Sequence, residues 1–226
     1  MITADIEQLF EQYGRVMQVA KGQYIFREGE QAEYIYLLVN GAIQINKNVE
    51  SGKEMTLRLC GPHSLIGENS LYCPPLVYTT TAKAMHTSTL LSLPCSMLEK
   101  LLNDQPYIMR QYSQWVQIEN LKNQSRIRDL LLQGKKGALY STIIRLVNTY
   151  GQVHTDGSIF INFALTNTQI ANLCATSRGV VNRMLNELKK DEIITYNQGF
   201  ITVLSLTYLK QGIACDNCPQ FICRID

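Results

Sequence analysis

The chain has 226 residues, a formal charge of +2, 46% hydrophobic and 18% charged residues, which excludes a disordered or fibrous protein. No apolar run approaches the ~18 residues of a membrane span, and the opening MITADIEQLF is acidic and amphipathic, unlike a secretory signal. A cytoplasmic protein without a membrane partner is therefore expected.

The near-neutral total hides an asymmetry. Residues 120–190 hold ten Lys or Arg against three acids, a local balance of +7, so the rest of the chain is acidic. That points to a polyanion partner for this segment, with a solvated basic face as the alternative.

Residues 19–95 alternate with the period of strands: Tyr24 and Phe26, then Tyr34, Tyr36 and Leu38, then Ile43 and Ile45 after the hairpin signal Asn40-Gly41. Short strands punctuated by glycines predict an antiparallel sandwich or roll with its own core. Cys60, Cys73, Cys95 and Cys174 are scattered among apolar residues and read as buried thiols.

After Pro106 the texture changes. Tyr107 to Gln133 contain no Gly or Pro and predict one long helix. Ile108, Tyr112, Trp115 and Ile118 form a face suited to packing on the roll. Met109, Val116, Asn123 and Leu130, with Ser113, Asn120 and Ile127 between them, follow a seven-residue repeat and predict the seam of a homodimer. One helix of a bundle is the competing reading.

Gly134 and Gly137 are expected to end this helix, and Ala138 to Tyr150 to form the next. A short strand over Phe160 to Phe163 precedes the capping signature Thr166-x-x-Gln169, which opens a helix at Thr168. Gln169 to Glu187 fits a helix-turn-helix with Ile170, Cys174, Val181 and Met184 buried and small Ala171 and Ala175 at the crossing and the turn. Ile193 to Val203, centred on Asn197-Gln198-Gly199, predicts a β-hairpin wing. The outward residues of the second helix are Ser177, Arg178, Gly179, Asn182 and Arg183. Arg can read guanine and Asn adenine, while Asn167, Thr168 and Ser177 at helix starts are placed to hold phosphates. Double-stranded DNA is the expected partner.

The tail CDNCPQFIC gathers Cys215, Cys218 and Cys223 at spacing C-x2-C-x4-C, one ligand short of a four-iron cluster or a tetrahedral zinc site. Spacing does not decide between the two. Catalysis is not expected and no catalytic residues are assigned, because His63, His86 and His154 sit in separate segments and no Gly-rich phosphate loop precedes a helix.

Roll, long helix and winged helix-turn-helix together resemble the CRP/FNR superfamily of bacterial transcription regulators over the whole chain. Within it, SRIRDLLLQGKKGALYSTIIRL (Ser125 to Leu146), VNRML (Val181 to Leu185) and CDNCPQFICRID (Cys215 to Asp226) resemble the FNR branch of bacilli, whose cluster cysteines are C-terminal. The resemblance implies an α+β fold: a cyclic-nucleotide-binding-like antiparallel β-roll over 1–106, a dimerisation helix over 107–133, a winged helix-turn-helix over 134–208 and a cluster-binding tail over 209–226. It also implies an oxygen-sensitive 4Fe-4S cluster on Cys215, Cys218 and Cys223 with the Asp129 carboxylate as fourth ligand, anaerobic gene control, and RNA polymerase as a further partner.

On the residues alone Asp216, Asp226, His154 and the terminal carboxylate compete with Asp129, which could instead form a helix-surface ion pair with Arg126 or Lys135. Arg126, Arg128 and Arg224 are the cations expected to offset the charge of a thiolate-bound cluster. A zinc-stapled regulator is the alternative, and so is one that responds to a cyclic nucleotide. Gly67-Glu68 in LIGENSLY matches the ribose-contacting part of the nucleotide motif, but VYTTTA (Val77 to Ala82) supplies no cation for a phosphate, so Glu68 reads as structural and no cyclic nucleotide is expected. Gly179 departs from relatives that usually carry Glu at this place, a side chain that reads a cytosine amino group.

Overall fold

The computed structural model describes residues 2–48, 54–67, 71–72 and 77–226, so Glu68 and Cys73 lie outside the described residues. Two compact units divide the chain, Met1–Ile118 and Glu119–Ile225.

In the first unit the elements run α1 (Ala4–Tyr13), β1 (Arg15–Val19), β2 (Tyr24–Phe26), β3 (Tyr34–Asn40), β4 (Ile43–Asn48), β5 (Glu54–Cys60), β6 (Ser64–Ile66), β7 (Thr81–Ala84), β8 (Ser88–Pro94), α2 (Cys95–Asp104) and the first turns of α3 (Pro106–Leu132). Two antiparallel four-stranded sheets, ordered β1-β8-β3-β6 and β2-β7-β4-β5, face each other as a roll.

Strand β3 departs from the one-faced alternation expected of it. Tyr36 and Leu38 point into the roll with Phe26, Ile43, Ile45 and Tyr78, whereas Ile35 and Leu37 join a second core with α1, α2 and α3. Both faces are covered, so the run is continuously apolar. The stripe Ile108, Tyr112 and Trp115 packs in that second core, each side chain contributing about 1.5–3 kcal/mol on full burial. Tyr24 and Tyr34, expected inside, are 43% and 37% exposed.

Asn40-Gly41 does not close a hairpin. It carries the chain from one sheet to the other, because β3 and β4 belong to different sheets. Gly41 has φ of +102° and a Cβ there would meet Ser88 Oγ at 2.1 Å, so the position demands glycine for conformation and for space.

The second unit holds the rest of α3, then α4 (Gly134–Tyr150), β9 (Gly151–Val153), β10 (Ile159–Ile161), α5 (Asn167–Leu173), α6 (Arg178–Lys190), β11 (Ile194–Asn197), β12 (Phe200–Val203) and α7 (Leu206–Gln211). Its sheet is ordered β11-β12-β10-β9. The break between α3 and α4 comes at Gln133 and Gly134, whose φ is +62°, and Gly137 is not part of it. Gly137 is buried in the first turn of α4, where a Cβ would strike Gln133 Cβ at 2.3 Å. Among the described residues no helix is long and apolar enough to cross a membrane.

Candidate metal centre and nucleic-acid interface

Asp129 sits one turn before the end of α3 and is 4% exposed, so it is not the surface carboxylate that a pairing with Arg126 or Lys135 would need. Its Oδ2 accepts from Ser141 Oγ and, at 2.7 Å, from Arg145 Nη2; its Oδ1 accepts from Arg128 Nε at 3.0 Å and Nη2 at 2.8 Å. Burial works against the charged form, but the hydrogen bonds from Ser141, Arg145 and Arg128 prevail and hold the carboxyl below its ordinary range.

Arg145 is the residue that sequence reasoning missed. It is 2% exposed, and its guanidinium also donates to Ser125 Oγ at 2.8 Å and to the Ile222 carbonyl at 3.4 Å. One side chain thereby joins α3, α4 and the tail. Lys122, paired with Glu119 at 2.7 Å, is buried as well, so two of the ten cations in the basic segment serve the interior rather than its surface.

The tail is anchored through two backbone groups and one side chain. Asn148 Nδ2 donates to the Cys223 carbonyl at 2.7 Å, Ile225 N to Thr149 Oγ1 at 3.1 Å, and Arg224 Nη1 to the Asn148 carbonyl at 3.1 Å. Arg128 bridges Asp129 and Asp216, which lies between Cys215 and Cys218. Cys223 is buried; burial pushes its thiol up to about 11, with Cys218 and Cys215 adding to the shift and Arg145 opposing it.

The structure therefore brings the three cysteines, Asp129, Arg128 and Arg145 into one neighbourhood. Arg224 is turned to the α4 backbone, and His154 stacks on Phe160. Among the described residues no three His, Cys, Asp or Glu side chains converge closely enough to hold a metal ion as they stand. Three sulfurs backed by two guanidinium groups nevertheless match the donor chemistry of an anionic thiolate-ligated centre. Asp129 Oδ1, held by the partly exposed Arg128 alone, is the oxygen most readily released to a metal.

Thiol chemistry offers a check. Burial pushes Cys95 and Cys174 up to about 11, and Cys60 is also buried, whereas Cys215 and Cys218 are half-buried. Iodoacetamide at neutral pH, applied to chelator-treated folded protein, is expected to label Cys215 and Cys218 at least about tenfold faster than Cys60, Cys95, Cys174 or Cys223, read by peptide mass spectrometry. Fast labelling of Cys174 would contradict its place in the core, where its Sγ contacts Thr142 Oγ1 at 3.4 Å.

The second site is the helix pair α5–α6. Thr166 caps α5 through a reciprocal capping box with Gln169, and Ala175 turns the chain at φ of +48°. Ser177 caps α6 by accepting from Val180 N. Ile170, Leu173, Cys174, Val181, Met184, Leu185 and Leu188 are buried, which leaves Ser177, Arg178, Gly179, Asn182 and Arg183 exposed along one side of α6. Lys189 and Lys190 close its last turn, where cations suit the helix dipole. Beyond α6, β11 and β12 form the wing around Gln198 and Gly199, both at positive φ, and Tyr196 Oη donates to the Leu165 carbonyl at 2.7 Å. Thr168 is exposed, but Asn167 is not free to face solvent, since its Nδ2 donates to Asn182 Oδ1 at 2.9 Å.

A Cβ on Gly179 would meet nothing within 4 Å. Gly179→Glu should therefore fold normally and sharpen selection at one symmetric base pair by about 1–3 kcal/mol in competition binding to a set of single-substituted sites. Identical base preferences in both proteins would refute a missing contact there.

Along α3, Val116, Asn120, Asn123 and Ile127 are exposed and Leu130 is half-buried, while Met109 packs partly on the first unit's core.

Comparison with known proteins bears on both units. Residues 16–105 match the cyclic nucleotide-binding domain model and residues 137–211 the Crp-like helix-turn-helix domain model. The chain is 41% identical over 227 aligned residues to the anaerobic regulatory protein of Bacillus subtilis (strain 168), covering 100% of this chain and 95% of that protein. It is 28% identical to the global nitrogen regulator of Synechococcus elongatus, covering 87% and 89% respectively. Among solved structures, the c-di-GMP-responsive global regulator CLP of Xanthomonas campestris superposes with a TM-score of 0.78 at 16% identity, over 90% of this chain and 100% of that one, a likeness of fold. With both domain types in this order and a full-length relative at this identity, the chain belongs to the CRP/FNR family of transcription regulators.

Proposed function

We propose that this regulator responds to oxygen through a 4Fe-4S cluster on Cys215, Cys218 and Cys223, with Asp129 as the fourth ligand, and controls anaerobic gene expression as a homodimer on palindromic promoter DNA. The observation that carries the reading is the seating of the cysteine tail against Asp129: Arg128 bridges Asp129 to Asp216, and Arg145 joins Asp129 to the Ile222 carbonyl. The anaerobic regulatory role named for the 41% identical Bacillus subtilis relative supports it.

When bound, the cluster supplies an oxidisable centre whose integrity depends on oxygen. The chain's own residues do the rest. Arg128 and Arg145 offset the charge of three thiolates. Asp129 gives a hard oxygen donor in a soft-ligand set, which makes it the ligand most easily displaced. Because Asp129 lies on α3 and the cysteines follow α7, their joint ligation ties the long helix to the tail behind the DNA-reading unit. A shift from 1:99 to 99:1 between two arrangements takes about 5.5 kcal/mol, within reach of metal-site ligation.

On DNA, α6 enters the major groove with Arg178, Asn182 and Arg183 toward base edges, while Ser177 and Thr168 hydroxyls hold phosphates. Two copies meet along the α3 stripe of Val116, Asn120, Asn123, Ile127 and Leu130, with Met109 at its start. This places half-sites about one helical turn apart. RNA polymerase is the downstream partner. No cyclic nucleotide is needed, a view supported by the roll interior, where Phe26 stacks on Tyr78 at 3.7 Å between ring centres and on Tyr36 at 6.0 Å.

The test is a fluorescence-anisotropy titration of a palindromic promoter fragment with anaerobically purified protein, before and after exposure to air. Affinity is expected to fall at least about tenfold on exposure, in step with loss of visible absorbance. Equal affinity in both conditions, with the absorbance lost, would refute the sensing role.

A further inference from the structure

We infer that Asn167 is a specificity-determining residue which fixes Asn182 on α6 as a hydrogen-bond donor toward DNA, so that Asn182 selects a keto base edge, guanine O6 or thymine O4, over the amino edge of adenine or cytosine. The inference rests on the proposed docking of α6 in the major groove and adds what that docking leaves open.

The chemistry follows from one contact. Asn167 Nδ2 donates to Asn182 Oδ1 at 2.9 Å, and Asn167 Oδ1 is buried without a hydrogen-bond partner. A primary amide carries one acceptor oxygen and one nitrogen with two donors, set at opposite corners of a plane. With Asn182 Oδ1 turned back toward α5, the edge left for solvent, and for a base, is Nδ2.

The reverse orientation of both amides would let Asn182 donate to Asn167, but it would bury Asn167 Nδ2 where its Oδ1 now lies. The direction of the pair is that of the contact itself, Asn167 Nδ2 to Asn182 Oδ1, with Asn167 Oδ1 turned into the interior. Reading adenine needs an Asn whose oxygen accepts from N6 while its nitrogen donates to N7. Asn182 presents only the second half of that pattern, and the amino group of adenine or cytosine would face N–H against N–H. Guanine O6 and thymine O4 accept from the exposed amide. Asn167, placed by its position at the start of α5 as a phosphate ligand, is thus engaged in orienting the reading residue.

The test is in-vitro selection of half-sites followed by competition binding with the intact homodimer in its DNA-binding form, comparing wild type, Asn182→Ala, Asn167→Ala and Asn167→Asp. Wild type is expected to prefer a keto base by about tenfold at one symmetric position, with that preference lost in Asn182→Ala. Asn167→Ala frees the amide to turn and should reduce the preference to under about twofold while the rest of the half-site is read unchanged. In Asn167→Asp the new carboxylate only accepts, so Asn182 must donate to it and turn its oxygen outward. Preference should invert toward adenine or cytosine, whatever the loss in overall affinity from the added charge. Circular dichroism melts establish that each variant is folded, and either Asn167 variant alone decides the question. An Asn182-dependent preference for an amino base in wild type, or Asn167 variants that weaken all sequences equally, would overturn the inference. Failure of wild type to select any palindrome would overturn the DNA-docking reading beneath it.

Discussion

Arg145→Leu is expected to lower the unfolding free energy of the second unit by about 3–5 kcal/mol, the range for removing one partner of a buried ion pair. Leucine fills part of the volume, so the loss comes mainly from the charge left behind. Asp129, 4% exposed, would keep Ser141 and Arg128 but lose the one cation that is as buried as itself. Ser125 Oγ and the Ile222 carbonyl would lose donors at the same time. Urea unfolding of chelator-treated protein, followed by circular dichroism, measures the effect. Adding Asp129→Asn should restore part of the stability, since a neutral pair avoids the stranded carboxylate. A loss below about 1 kcal/mol, with no coupling in the double variant, would mean that the network is ornamental.

Asp129 has a structural role in the buried network and a proposed role as ligand, and a pair of substitutions separates them. Asp129→Ala is expected to strip the proposed fourth ligand and to strand Arg145, lowering both iron retention and stability while the dimer persists in light scattering. Asp129→Cys strands Arg145 equally but offers a softer donor, so stability should fall as in Asp129→Ala while iron is retained and lost to air more slowly than in wild type. If Asp129→Ala holds iron as well as wild type does, the fourth ligand is another residue. If both variants lose iron alike, Asp129 acts through the fold and not through ligation.

What was legible in the sequence is mostly what is local. Thr166 and Gln169 sit within one helical turn, so the capping box could be read directly, and it holds α5 as expected although the helix starts at Asn167. The burial of Ile170, Cys174, Val181 and Met184 follows from helical spacing and is found. Asn40-Gly41 was misread because turn chemistry shows that the chain turns, not which sheet receives the next strand. Helices α2 and α7 are short and take their apolar faces from distant partners, whereas β9 is exposed at all three residues and offers no apolar alternation to read.

Arg145 escaped for a related reason. In α4 it looked like one more cation of a basic segment, and its carboxylate partner lies sixteen residues earlier on another helix. Asp129 was singled out only by the family resemblance, with a surface ion pair as the competing reading on the residues alone, because Ser141 and Arg145, which enclose it, are supplied by the next helix. The orientation of Asn182 depends on the placement of Asn167 across the helix-turn-helix, fifteen residues away. Type and spacing marked Asn182 as a candidate reader; its contact with Asn167 could not be read from them.

The most direct measurement of the central claim is the metal and sulfide content of the full chain purified without oxygen, taken with its visible spectrum. The account predicts about four iron and four acid-labile sulfide per chain, with a broad charge-transfer absorbance that bleaches in air. About one zinc per chain, with no sulfide and no visible absorbance, would contradict it and make the tail a structural staple.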